Sequence, residues 1–187
     1  MNKLPKNYLW LNNIGTLPRL VSAAIQYLGV TEVPGKGSNP VIMDMARRLG
    51  IADIYTDDDM SWCAVFFNFL CLITGKPLVN HGKDRYNLMR ALWLLNWGDK
   101  VEVKDMQLGD VIILNRSGGG HVFILIAINK ANGNPIGIGG NQNNSVNIAE
   151  FDKNRIAGVR RFYATKAPAS AKQYFVTTSG VLSTNEA

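Results

Sequence analysis

Apolar positions along the chain keep one period up to about residue 98 and another after residue 109. Leu17, Leu20, Val21, Ala24, Ile25 and Leu28 fall on one face of a helix, with Thr16 as its cap, Pro18 in its first turn and Gly29 as its stop. Residues 30–39 (VTEVPGKGSN) read as a loop, and Pro40 opens a second helix that ends at Gly50. Residues 53–59 carry four aspartates and read as a solvated loop. A third helix is expected over 62–74, with Ser61 as cap, Gly75 as stop and Pro77 just beyond. A fourth is expected over 84–97, stopped by Gly98.

After Gly109 the blocks shorten and become β-rich. Residues 111–114, 121–128 and 136–138 read as strands, separated by RSGGG and NKANGN turns. Residues 146–148 and 156–162 add two more, and 174–176 offer an edge strand. Helices followed by an antiparallel sheet make the α+β class. The expected division is a loose polar arm over 1–16, one domain over 17–163, and an Ala/Ser/Thr/Lys-rich tail over 164–187. There is no internal repeat.

Composition narrows the function class. With 187 residues, 47% hydrophobic and 18% charged, the chain suits one ordinary globular core. No apolar run reaches the ~18 residues of a membrane span, so no stable membrane insertion is expected. The first twenty residues lack an apolar stretch of the signal-peptide kind, which implies synthesis in the cytoplasm. The net charge of +6 favours polyanions: nucleic acid, anionic lipid or wall polymers. The densest basic cluster is Lys153, Arg155, Arg160 and Arg161, and without an arginine-rich or zinc-finger motif nucleic acid is not the expected partner.

Two cysteines exclude a disulfide framework. If both lie on the third helix, Cys63 and Cys71 are ~12 Å apart along its axis, too far to pair. Cys63 sits in the first turn, where unpaired N–H groups and the helix dipole favour a thiolate. Asp57, Asp58 and Asp59 oppose that if they lie close in space. Cys71 lies mid-helix in FFNFLCLITG and reads as packing.

A cysteine nucleophile needs a base, and the chain has only His81 and His121. His121 follows three glycines at the mouth of the longest strand, sharing a face with Phe123, Leu125 and Ala127. That position suits a positioned base, and it equally suits a capping or edge histidine. His81, in VNHGKD, reads as an exposed loop residue. The return strand PIGIGGNQNN brings Asn141 and Gln142 near the ring, where an amide can fix the tautomer. Ordinary turn chemistry is the other reading of those two.

Taken together, LGVTEVPGKGSNP, DDDMSWCAVFFNF, LGDVIIL, GGGHV and GGNQNNSVNI resemble, in order and spacing, the NlpC/P60 and CHAP cysteine peptidases. The likeness is to a bacterial and phage-associated branch with a WC…GHV…GGNQ pattern, and it spans roughly residues 17–162. It implies a papain-like α+β core whose nucleophile helix packs on an antiparallel sheet. It also implies cleavage of a peptidoglycan amide, either a stem-peptide link or the N-acetylmuramoyl–L-alanine bond. Carried over, Cys63 is the nucleophile, His121 the general base and Asn141 the orienting group, with Gln142 in reserve. Phe123 departs from the small residue usual after HV, which would narrow the cleft or shift substrate preference.

The chemistry implied is acyl transfer through a thioester, with no metal or organic cofactor. Peptidoglycan or muropeptides would be the partner, and an immunity, holin or secretion partner would account for passage to the wall. Trp62 is a candidate cleft residue or core; Glu32 a contact for a substrate amine or a surface carboxylate; Asp58 a substrate contact or a helix cap. Tyr86, Trp93 and Trp97 read as packing. The rival classes are an inactive wall-binding module, an acyltransferase or deamidase on the same core, and a zinc amidase using Cys63, His81 and His121, which lacks a local ligand cluster.

Overall fold

The computed structural model describes residues 4–79, 84–177 and 182–183. Its helical half holds α1 (Arg19–Ile25), α2 (Pro40–Arg48) and α3 (Cys63–Thr74). Asn39 caps α2, its Oδ1 accepting from the Val41 N–H at 2.8 Å. Residues 63–71 of α3 are all buried, because a helix apolar on every side belongs in the interior. Gly75, in the left-handed region at φ 69°, ends it and lets the Lys76 N–H reach Cys71 O at 2.8 Å.

The second half is a sheet of β1 (Asp99–Val101), β2 (Val111–Arg116), β3 (Gly119–Asn129), β4 (Pro135–Gln142), β5 (Ser145–Glu150) and β6 (Ile156–Arg161), with β7 (Phe175–Val176) near the end of the chain. The order is β1-β6-β2-β3-β4-β5, every neighbour antiparallel, and β7 adds to β3 in parallel beside Ile128 and Asn129. The class is α+β, as the change of period predicts. The edge strand expected over 174–176 is present as β7, whereas β1 has no counterpart in the sequence reading.

Each face of the sheet is buried against its own cluster. Val122, Ile124 and Ile126 of β3 join the core built on α1, α2 and α3. Phe123, Leu125 and Ile128 join a second cluster with Ile112, Leu114 and Phe151. Both faces of β3 being apolar, the strand is central and buried from His121 to Asn129.

Two expectations need correction. The arm is not loose: Lys6–Asn13 forms a 3-10 helix that buries Leu11, and Trp10 meets Tyr174 at 4.9 Å between ring centres. The expected helix over 84–97 is instead two 3-10 helices, Arg85–Met89 and Ala91–Asn96, broken at an extended Arg90. The buried apolar residues there are Leu88, Ala91, Leu94 and Trp97, a spacing of three that matches the 3-10 turn and not the α-helix. Tyr86 and Trp93, expected as packing, are exposed.

Candidate functional site

Cys63 is the first residue of α3 and nearly fully buried. Trp62 holds the cap position, and no side chain among the described residues caps the helix there. Ser61, the expected cap, instead turns its Oγ to accept from Arg116 Nη2 at 3.0 Å. The first-turn N–H groups therefore stay turned toward the thiol. Burial pushes the Cys63 thiol above its ordinary range; the Val122 N–H, the Arg116 charge and the Ala64 and Cys63 N–H groups pull it back. Burial outweighs them, and the thiol stays above its ordinary range.

The Val122 contact places the sulfur one residue from His121 along β3. His121 is fully buried, its ring 5.4 Å from Phe151 and 6.1 Å from Phe123 between centres. It thus begins the row of β3 side chains on the second cluster. Imidazole Nε2 lies 3.3 Å from Gln142 Oε1.

Gln142 fixes the ring nitrogen that donates to it. Its Nε2 donates to the backbone O and to Oδ1 of Asn147, each at 2.9 Å. A backbone carbonyl can only accept, so the amide nitrogen must face Asn147 and Oε1 must face the ring. His121 Nε2 is then a protonated nitrogen, and in the neutral form of the ring the lone pair falls on Nδ1. Gln142, the reserve of the sequence reading, thus has its amide oxygen at hydrogen-bond distance from the imidazole. Asn141 is buried beside it in the left-handed region, at φ 55°.

The remaining candidates take structural positions. Trp62 is fully buried and donates its indole N–H to Glu32 Oε1 at 2.6 Å, so it is core and lines no cleft. Glu32 is held by that bond; partial burial and the nearby Asp58 and Asp59 charges raise its pKa above the usual range against the lowering effect of the Trp62 bond. Asp58 does not cap α3. Its Oδ2 accepts from the Val33 and Asn39 N–H groups at 3.0 and 2.7 Å and ties the 33–39 loop to the start of α2. Phe123 stacks on Phe151 at 4.2 Å within the second cluster and does not narrow the cleft.

A cleft of about 460 Å³ reaches the sulfur between Ser61, Cys63, Arg90, Leu92, Trp93 and Arg116. Cys71 is buried mid-helix with its thiol raised by burial, as expected of packing. His81 lies outside the described residues. Asp57, Asp58 and Asp59 offer ligand atoms within 4.8 Å of one another, and neither Cys63 nor His121 belongs to that group. Of the basic cluster, Arg161 pairs with Asp110 at 2.7 Å and Lys153 donates to Asn132 O at 2.6 Å, both holding the fold. Among the described residues no helix is long and apolar enough to cross a membrane. Set against models of protein families, curated proteins and solved structures, the chain finds no match.

Proposed function

We propose that the protein is a cysteine hydrolase that cleaves an amide bond of peptidoglycan, through a papain-like core of the NlpC/P60 and CHAP kind that its motifs resemble. The observation that carries this reading is the setting of Cys63. The sulfur stands at an uncapped helix start, at the end of a cleft, ringed by backbone N–H groups and one guanidinium. Cys63 thiolate attacks the scissile carbonyl, and the N–H groups at the start of α3 receive the oxyanion. His121, its Nε2 proton directed at Gln142, offers Nδ1 to take the thiol proton and return it to the leaving amine. Water then clears the thioester. This chemistry requires a thiol–imidazole hydrogen bond, and such bonds are often long until substrate tightens them.

The second reading is a wall-binding module of the same fold without turnover. The packing of the imidazole against Phe151 and the raised thiol of Cys63 favour it.

Incubation of purified protein with peptidoglycan, with mass spectrometry of released muropeptides, tests the two. The hydrolase reading expects soluble fragments that identify the bond, and their loss in both Cys63→Ala and His121→Ala with the thermal midpoint kept. Equal turnover in either variant rejects that residue's role. Binding to wall that survives Cys63→Ala, with no fragments from the unmutated protein, establishes the second reading.

A further inference from the structure

The cleft beside Cys63 contains one cation held in place without a carboxylate. Arg116 ends β2; its Nε donates to Gly120 O at 3.2 Å and its Nη2 to Ser61 Oγ at 3.0 Å. Both acceptors are neutral, and a guanidinium has five N–H donors, so most of its donors remain for another acceptor. Arg47, Arg85, Arg90 and Arg161 each form an ion pair with an aspartate, and among the described residues Arg116 forms none. Arg90, the other cation of the cleft, is drawn off by Asp84 at 3.3 Å and lies over the Tyr86 ring. Exposed Leu92 and Trp93 supply an apolar wall.

We infer that Arg116 is a carboxylate-binding residue that anchors an anionic group of the ligand next to Cys63, so that the preferred substrate is an amide bearing a carboxylate close to the bond attacked. The word substrate rests on the hydrolase reading; the anion site does not. Planar, bidentate recognition of a carboxylate is what a guanidinium provides and an ammonium does not. A ligand cationic at this point would be repelled.

Iodoacetate and iodoacetamide, nearly equal in size and differing in charge, probe the site on the intact protein. Each loses iodide to the thiolate, and the modified Cys63 peptide is quantified by mass spectrometry. The ratio of the iodoacetate rate to the iodoacetamide rate is expected to fall about fivefold in Arg116→Gln, the upper range for a partly exposed ion pair. Arg116→Lys keeps part of it. In the unmutated protein, raising salt to about 0.5 M is expected to lower the ratio toward the Arg116→Gln value, since such salt shortens the screening length to a few ångströms.

If Arg116 acts only by raising the thiolate fraction, both rates fall together and the ratio stays, which overturns the inference. A salt-independent ratio overturns it too, as does failure of both reagents to reach Cys63 in the folded chain. Should Arg116→Gln not fold, Arg116→Lys and the salt series carry the test. A charge preference without release of muropeptides removes the hydrolase reading and leaves the anion site standing; release with an unchanged ratio does the reverse.

Discussion

At the scale of single residues, the sulfur and the ring are tuned by different neighbours. Cys63 is raised by burial and lowered, less, by N–H groups and Arg116. Its alkylation by iodoacetamide is therefore expected to keep climbing with pH above about 8.5, where a free cysteine levels off. A pH–rate profile checks this, and Arg116→Gln is expected to move the curve further up. His121 depends on Gln142, so Gln142→Ala is expected to slow wall hydrolysis about tenfold, the worth of one hydrogen bond. Asn141→Gly, which keeps the left-handed backbone, is expected to cost less; initial rates of muropeptide release compare the two. The places of Cys63 at the start of α3 and Cys71 in its middle were legible in the sequence, because they depend only on distance from a helix end. The bond from Trp62 to Glu32 was not, since Glu32 lies thirty residues earlier and meets it through the course of a loop. The cap reading of Asp58 failed for the same reason: its backbone partners are nineteen and twenty-five positions away.

At the scale of elements, α3 and the paired strands followed from period and stop signals, because an all-apolar run or a Gly-bounded β block has one place to go. The segment 84–97 did not. Its apolar residues also satisfy a helical window, and only the stricter spacing of three, Leu88 to Trp97, marks the 3-10 form. Packing between elements is set at β4, where a Cβ at Gly140 would come within 2.6 Å of Trp62 and 2.8 Å of Phe66. Gly140→Ala is expected to destabilise by about 2 kcal/mol, since neither aromatic has room to retreat. At Gly119, where a Cβ meets nothing within 4 Å, the same change is expected to stay within about 0.5 kcal/mol. Urea midpoints of the two variants give the comparison.

At the scale of the molecule, one sheet separates two apolar cores, and several ionisable groups are buried in or beside them as neutral species. The thiols of Cys63 and Cys71 and the phenol of Tyr55 are all raised by burial. Above the ordinary thiol range, the unfolded chain releases protons that the folded chain still holds. Stability is therefore full below about pH 8.5 and declines as pH rises beyond it. Thermal midpoints measured between pH 7 and pH 10 are expected to fall across the upper part of that window; a midpoint constant to pH 10 contradicts the burial of these groups. The docking of the first residues belongs to this scale as well. Leu11 is fully buried and Trp10 reaches Tyr174 from the other end of the chain, a contact that local composition does not encode.

The register of β4 against β5 shifts between Gly139 and Gln142. That irregularity supplies an odd step: side chains alternate along a strand, so a slip of one position exchanges inside for outside. Deleting a single residue there would send the amide of Gln142 to the far side of the hairpin and leave the imidazole facing its neighbour's backbone. Asn143 and Asn144, at the exposed tip, hold left-handed backbone at φ 50° and 59°, which asparagine and glycine accept and β-branched residues resist. What the hairpin cannot change is parity: the chemistry of the ring is encoded there by the number of residues as much as by their kind.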